Sequence, residues 1–319
     1  MACEQPRTII NRRYLGMSDP DISEYAQLHY GLSWPPDYLI EVPCGFCASC
    51  QKSSNSQYRF RLLWEIQRYP VGSCLFVTLT FDDHYLDVFK ADYNRAVRLF
   101  LDRARKMFGK QIRHWFIGEF GTLHGRPHYH GILFGVPEAL STVYSVDHPG
   151  DHPVLRSLWK YGFVFVGYVN DKTCSYITKY LTKSINGKKI RPRVISSFGI
   201  GANYLDSQEA KLHRLGSCHY QPFVIYGGFK QAMPRYLYNK IFSAFDRENM
   251  ILDRYLNPPP FTWNGRTFRS REERDYARAA TRSFNIALGL TPLVKLPTRK
   301  LKHFSALRDN PYPFTFFNL

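Results

Sequence analysis

The 319-residue sequence contains no apolar run of about 18 residues or more, so no segment reads as a membrane-spanning helix. Its opening, MACEQPRTIINRRYLGMSDP, lacks the charged-then-apolar pattern of a secretory leader, and a soluble cytoplasmic protein is expected. No GxxxxGK[ST] loop is present, which excludes a built-in ATPase of that type. The seven cysteines are odd in number and do not form the framework of a small disulfide-stapled scaffold, so the thiols read as reduced. Acidic residues are scarce: 26 Asp plus Glu face 43 Lys plus Arg, a net charge of +17. Such an excess concentrates polyanions, of which nucleic acid is the commonest. Hydrophobic content of 44% and the chain length suffice for a sizeable core, in one elaborated domain or two. Aromatics are heavy (24 Phe, 22 Tyr, 5 Trp), which suits a core and also suits stacking on unpaired bases.

Periodicity orders the middle of the chain. Tyr58, Leu62, Ile66 and Tyr69 recur at helical spacing in SSNSQYRFRLLWEIQRY, with Arg59, Arg61 and Arg68 beside them. SCLFVTLTF (73–81) is a β-branched and aromatic run of strand length. Residues 91–109 place Tyr93, Val97, Phe100, Ala104 and Met107 on one helical stripe that stops at Gly109. QIRHWFIGEF (111–120) and RPHYHGILFG (126–135) read as two strands joined by the short GTLHG, a hairpin. YGFVFVGYVND (161–171) is a further strand, and KTCSYITKYLTKSI after it a helix closed by Gly187. Strand, helix, hairpin, strand, helix implies an α+β fold, an antiparallel sheet with helices packed on it. The division expected is an N-terminal segment with the cysteine cluster and a basic helix (1–72), a core (73–190), and a C-terminal extension of unknown fold (191–319).

His128 and His130 stand at i and i+2 of a strand and so point the same way. Pairing the hairpin about Leu123 and His124 sets Glu119 opposite His128 and Ile117 opposite His130, which adds a carboxylate to the two imidazoles. That donor set suits Mn²⁺ or Mg²⁺ with positions left for substrate oxygens. His84 is the rival third ligand, because one bulge would turn Glu119 to the other face. On the later helix, Tyr176, Lys179, Tyr180 and Lys183 share one face while Cys174, Ile177 and Leu181 hold the other to the core. A phenol is a poor nucleophile until it loses its proton, and lysines beside it favour phenolate and hold flanking phosphates. With a metal polarising a phosphodiester, tyrosine attack would leave a covalent phosphotyrosine and a free hydroxyl on the other DNA end.

HYH, with YITKYLTK downstream and FVTLTF upstream, resembles the HUH endonucleases that initiate rolling-circle replication. The sequence is most similar to the replication initiators of the Microviridae, small isometric single-stranded DNA phages. The cysteine cluster, GEFGTLHGRPHYHGILFG and SSFGIGANYL fit them too, so the likeness covers roughly residues 43–206. The resemblance implies a five-stranded antiparallel sheet of the Rep-like HUH fold, His128 and His130 as metal ligands, and Tyr176 and Tyr180 as alternating nucleophiles that form 5′-phosphotyrosine at a replication origin. It also implies single-stranded DNA as partner, a helicase and polymerase from the host, and the cytoplasm of a bacterial host as the place of action. Relaxases and single-strand transposases share the histidine motif, and the paired tyrosines disfavour them.

Two motifs stand apart. CGFCASC supplies Cys44, Cys47 and Cys50, with Cys3, Cys74, Cys174 and Cys218 scattered; it reads either as structural Zn²⁺ with a distant fourth ligand or as a metal-free packed loop. KSINGKKIRPR offers Lys188, Lys189, Arg191 and Arg193 as a phosphate track, joined by Arg59 and Arg61 of the basic helix, and Gly199 and Gly201 would let backbone amides approach phosphate. A zinc-containing nucleic-acid-binding protein without catalysis is the reading from another class. It would be indifferent to loss of the two tyrosines.

Overall fold

The computed structural model describes residues 3–121, 125–138, 140, 152–181, 194–215, 221–258 and 260–291. They fall into two compact units, residues 54–207 and residues 1–53 with 208–319. Along the chain come β1 (Arg7–Ile10), α1 (Asp19–Tyr30), β2 (Leu39–Val42) and α2 (Ala48–Ile66), then β3 (Cys74–Thr80), α3 (Asp83–Val88) and α4 (Tyr93–Phe108). The hairpin strands β4 (Arg113–Phe120) and β5 (Pro127–Phe134) follow, with α5 (Pro153–Trp159), β6 (Val164–Tyr168), α6 (Asp171–Lys179) and β7 (Val194–Ser196). The rest comprises α7 (Gln208–Leu215), β8 (Phe223–Tyr226), β9 (Phe229–Ala232), α8 (Arg235–Ile241), α9 (Ala244–Leu256), β10 (Thr262–Trp263), β11 (Arg266–Thr267) and α10 (Arg271–Ala287).

In residues 54–207, five strands pair antiparallel in the order β6-β3-β5-β4-β7. The expected α+β class and antiparallel sheet are observed. Alternation sends Leu75, Val77, Leu79, Phe116, Tyr129, Leu133, Val164 and Val166 to one face, where Ala96, Val97, Phe100, Leu101 and Ala104 of α4 and Leu155, Leu158 and Trp159 of α5 cover them. Met107, in the last turn of α4, is exposed instead. The opposite face carries Phe76, Trp115, Ile117, Ile132 and Phe134 and is covered by Leu62 of α2 and Cys174 and Ile177 of α6. Both faces are therefore dry, as helices on each side of a sheet require. At Gly131 the sheet leaves no room for a side chain: a Cβ would lie 2.3 Å from the Phe116 ring and 2.5 Å from the Trp115 carbonyl.

In the other unit, β1 pairs with β2. Ala26 and Tyr30 of α1 pack with Ile251 of α9. Tyr25 donates to Glu248 at 2.7 Å, and Arg13 pairs with the same carboxylate at 3.2 Å. Segments at opposite ends of the sequence thus share one core.

Candidate functional site

The β4–β5 register places Glu119 opposite His128 and Ile117 opposite His130, as the hairpin pairing requires. The turn residues Leu123 and His124 lie outside the described residues. One ligand atom each from Glu119, His128 and His130 falls within 4.8 Å of the others. His130 Nε2 is 3.3 Å from Glu119 Oε2, and both side chains are buried. His84, on α3, is not part of this group. The remaining nitrogen of His130, Nδ1, sits 2.9 Å from Thr78 Oγ1, the residue across from it on β3. With Nδ1 donating to that hydroxyl, Nε2 keeps its lone pair for a cation, the arrangement that orients metal-bound imidazoles. His128 Nδ1 is buried without a hydrogen-bond partner. An orphaned imidazole nitrogen beside a carboxylate and a second imidazole is costly unless a cation satisfies it, so these residues fit a divalent metal.

α6 starts on an Asn170 capping box and holds its apolar side, Cys174 and Ile177, in the core. It ends at Lys179, with Tyr180 still in helical conformation as its C-cap, so Tyr176 and Tyr180 remain one turn apart on one face. The Tyr180 ring stacks on His130 with centroids 4.6 Å apart and planes 11° from parallel. Tyr176 meets the same imidazole edge-on at 5.6 Å, and Tyr180 donates its hydroxyl hydrogen to the Tyr176 hydroxyl. Burial, then the hydrogen bond with Tyr176 and the charge of Glu119, hold the Tyr180 phenol well above the ordinary tyrosine value. Tyr180 is buried and Tyr176 is 44% exposed, so the pair spans the depth of the site from its floor to solvent.

Two contributors escape a reading of motifs. Thr78 alternates with apolar neighbours in FVTLTF, and that hydroxyl on a core strand is the signal. Phe165, cross-strand from Thr78 on the sheet-edge strand β6, is 49% exposed, and its ring lies 6.4 Å from Phe76, which also contacts His130 and Tyr176. Phe163, two residues before it, is exposed as well.

The basic residues divide. Lys179 is exposed beside Tyr176, whereas Lys183, Lys188, Lys189, Arg191 and Arg193 lie outside the described residues. Arg59 forms a bidentate pair with Asp171, its Nε 2.6 Å from Oδ1, and Arg61 donates to the Ile200 carbonyl at 2.9 Å. Both tether α2 within the fold, so their charge has internal partners. Nor is Gly201 open to a phosphate: its amide donates to buried Glu65 at 2.7 Å, and a Cβ there would meet the Arg61 backbone at 2.5 Å. Cys44, Cys47 and Cys50 do come together, and Cys3 joins them.

Residues 74–185, which hold Glu119, both histidines and both tyrosines, match the family model described as replication-associated protein ORF2. The chain is 25% identical over 244 residues to replication-associated protein ORF4 of Chlamydia phage 1, a span covering 69% of this chain and 58% of that relative's length. It is 24% identical over 241 residues to replication-associated protein ORF2 of Spiroplasma virus 4, covering 67% and 72% of the two chains. A third relative, replication-associated protein VP4 of Bdellovibrio phage phiMH2K, is 24% identical over 154 residues, covering 45% and 48%. No solved structure matches.

Proposed function

We propose that this chain, a relative of the replication-associated proteins of small phages, nicks and rejoins single-stranded DNA at a replication origin. The observation that carries the proposal is the pair of tyrosine hydroxyls joined over His130, beside Glu119 and the unpartnered His128 nitrogen. The fold so used is the HUH nuclease sheet. Glu119, His128 and His130 would hold the divalent ion, Mn²⁺ or Mg²⁺, which when bound supplies positive charge for a scissile phosphate.

The chain's own side chains do the rest. Tyr176, the more exposed phenol, attacks phosphorus; the bond from phosphorus to O3′ breaks, its electron pair leaves on O3′, and that oxygen takes a proton to become a free 3′ hydroxyl. The 5′ phosphate stays on the tyrosine, so bond energy is conserved and rejoining needs no nucleotide triphosphate. Tyr180, held by the stack on His130, is within hydrogen-bonding reach of the same hydroxyl and serves as the second nucleophile when a replicated circle is released. Lys179 and Lys183 steady the flanking phosphates, the track from Lys188 to Arg193 extends that grip, and exposed Phe163 and Phe165 stack unpaired bases. The chain carries no P-loop, so strand separation and synthesis fall to a helicase and polymerase of the host, in whose cytoplasm the protein acts.

The test uses 3′-labelled single strands tiled across the genome that encodes the chain, incubated with Mn²⁺ and resolved under denaturing conditions. A protein-linked labelled band that needs the metal and falls at least about 10³-fold in Tyr176→Phe/Tyr180→Phe is expected. Tight binding with no covalent band on any strand would replace the enzyme with a binding module.

A further inference from the structure

We propose that Cys3, Cys44, Cys47 and Cys50 form a closed tetrathiolate site for one structural zinc ion, which fastens the start of the chain and α10 to the first turn of α2. The four sulfurs lie within 4.8 Å of one another and all four residues are buried. Cys44 and Cys50 sulfurs are 3.9 Å apart, those of Cys3 and Cys47 4.0 Å. Zinc–sulfur bonds of about 2.3 Å put the corners of a tetrahedron about 3.8 Å apart, whereas a disulfide needs about 2.05 Å. The spacing is therefore that of four ligands around one ion rather than of two bridges.

The backbone is arranged for thiolates. The amides of Phe46 and Cys47 donate to Cys44 Sγ, those of Glu4 and Cys50 to Cys47 Sγ, and that of Cys44 to Cys3 Sγ, all at 3.3–3.4 Å. Five amides spent on three sulfurs make little sense for neutral thiols, which accept weakly, and good sense for metal-bound thiolates. Four thiolates around Zn²⁺ carry a net charge of −2, and α10 brings the buried guanidinium of Arg278 nearby. Burial, then the Arg274 cation, pull that guanidinium below its ordinary value, while Glu41, Asp275 and Cys3 pull it back up. A CxxCxxC run with a fourth cysteine far upstream leaves no open coordination position, which marks a structural site rather than a reacting one.

What the ion would secure is visible next door. Glu4, buried beside Cys3, accepts from the Ser49 amide and hydroxyl at 3.3 Å, from Asn285 of α10 at 3.0 Å and from Thr291 at 2.8 Å. Thr291 in turn accepts from the Ala48 amide at 3.1 Å. The cysteine knuckle and the Glu4 network thus converge on the N-terminus of α2, one from each side of the Cys3–Glu4 bond.

The full-length chain, purified and then exchanged with Co²⁺, gives the test, since cobalt reports its ligands by colour. The expected result is one zinc per chain as purified and, after exchange, the thiolate-to-cobalt charge-transfer absorption of a four-sulfur tetrahedral site. That absorption should persist in His128→Ala/His130→Ala and be weakened and shifted in Cys3→Ser. Should Cys3→Ser fail to fold, alkylation of the wild-type chain replaces it: all four cysteines should react together and at least about 10-fold faster once a zinc chelator is added. Absence of the charge-transfer absorption, a Cys3→Ser spectrum equal to wild type, iron in place of zinc, or Cys3 reacting independently of the other three would overturn the proposal.

Discussion

Glu119, His128 and His130 on the sheet and Cys3, Cys44, Cys47 and Cys50 at the foot of α2 are the two groups of metal-ligating side chains among the described residues, and they are built on opposite plans. The first offers three hard-to-borderline donors, one nitrogen of them unpartnered, under a half-exposed phenol. The second offers four soft donors, sheathed in backbone amides and sealed from solvent. Three donors leave room for substrate oxygens and four leave none. One chain thus separates a centre that reacts from a centre that holds, and ligand number and softness draw the line.

Removing an imidazole should break that contrast furthest. His130→Ala is expected to lower covalent DNA attachment by at least about 10³-fold while leaving the zinc content unchanged, checked by denaturing gel and elemental analysis of the same preparation. Loss of both together would mean that the two groups are one system. A smaller effect is expected from Thr78→Val, which removes the hydroxyl that orients His130: about 10- to 100-fold more Mn²⁺ should be needed for half-maximal attachment, with full yield recovered at saturation. An unchanged metal requirement would assign Thr78 to packing alone.

The smallest expected effect concerns acid. His114, buried near the Arg105 and Arg113 cations with Nδ1 3.0 Å from Ser197 Oγ, is held neutral, its value lowered from 6.5 to about 4 chiefly by burial. The unfolded chain binds a proton there below about 6.5 and the fold only below about 4, so stability is full above 6.5 and falls as pH drops toward 4. The loss should be on the order of 1–3 kcal/mol. In denaturant melts between pH 7 and pH 4.5, His114→Gln should flatten this dependence, and an equal slope in the variant would place the acid sensitivity elsewhere.

How much of this is legible in the amino-acid sequence depends on how far apart the partners lie along the chain. A five-residue hairpin connection sets the partners of its strands, so the Glu119–His128 pairing follows from alternation and turn length. One turn of helix likewise puts Tyr176 and Tyr180 side by side. Cys3 is invisible as a ligand because 41 residues separate it from Cys44, and no local pattern ties them. Arg59 and Arg61 read as a basic helix face; their partners, Asp171 and the Ile200 carbonyl, lie 112 and 139 residues further on. Strand β7, three residues long and at the sheet edge, carries too short an alternation to be heard. Helical projection expects Tyr180 on a polar face with the lysines; it is buried because His130 offers it a ring to stack on.

The most direct test of the central claim is to isolate the DNA-linked chain, digest protein and DNA, and map the nucleotide-bearing peptide by mass spectrometry. The account predicts a 5′-phosphodiester on the peptide that carries Tyr176 and Tyr180, with Tyr176 modified in a first round on a linear strand. A nucleotide on any residue outside that pair, or a cleaved strand with no nucleotide on the protein, would contradict it.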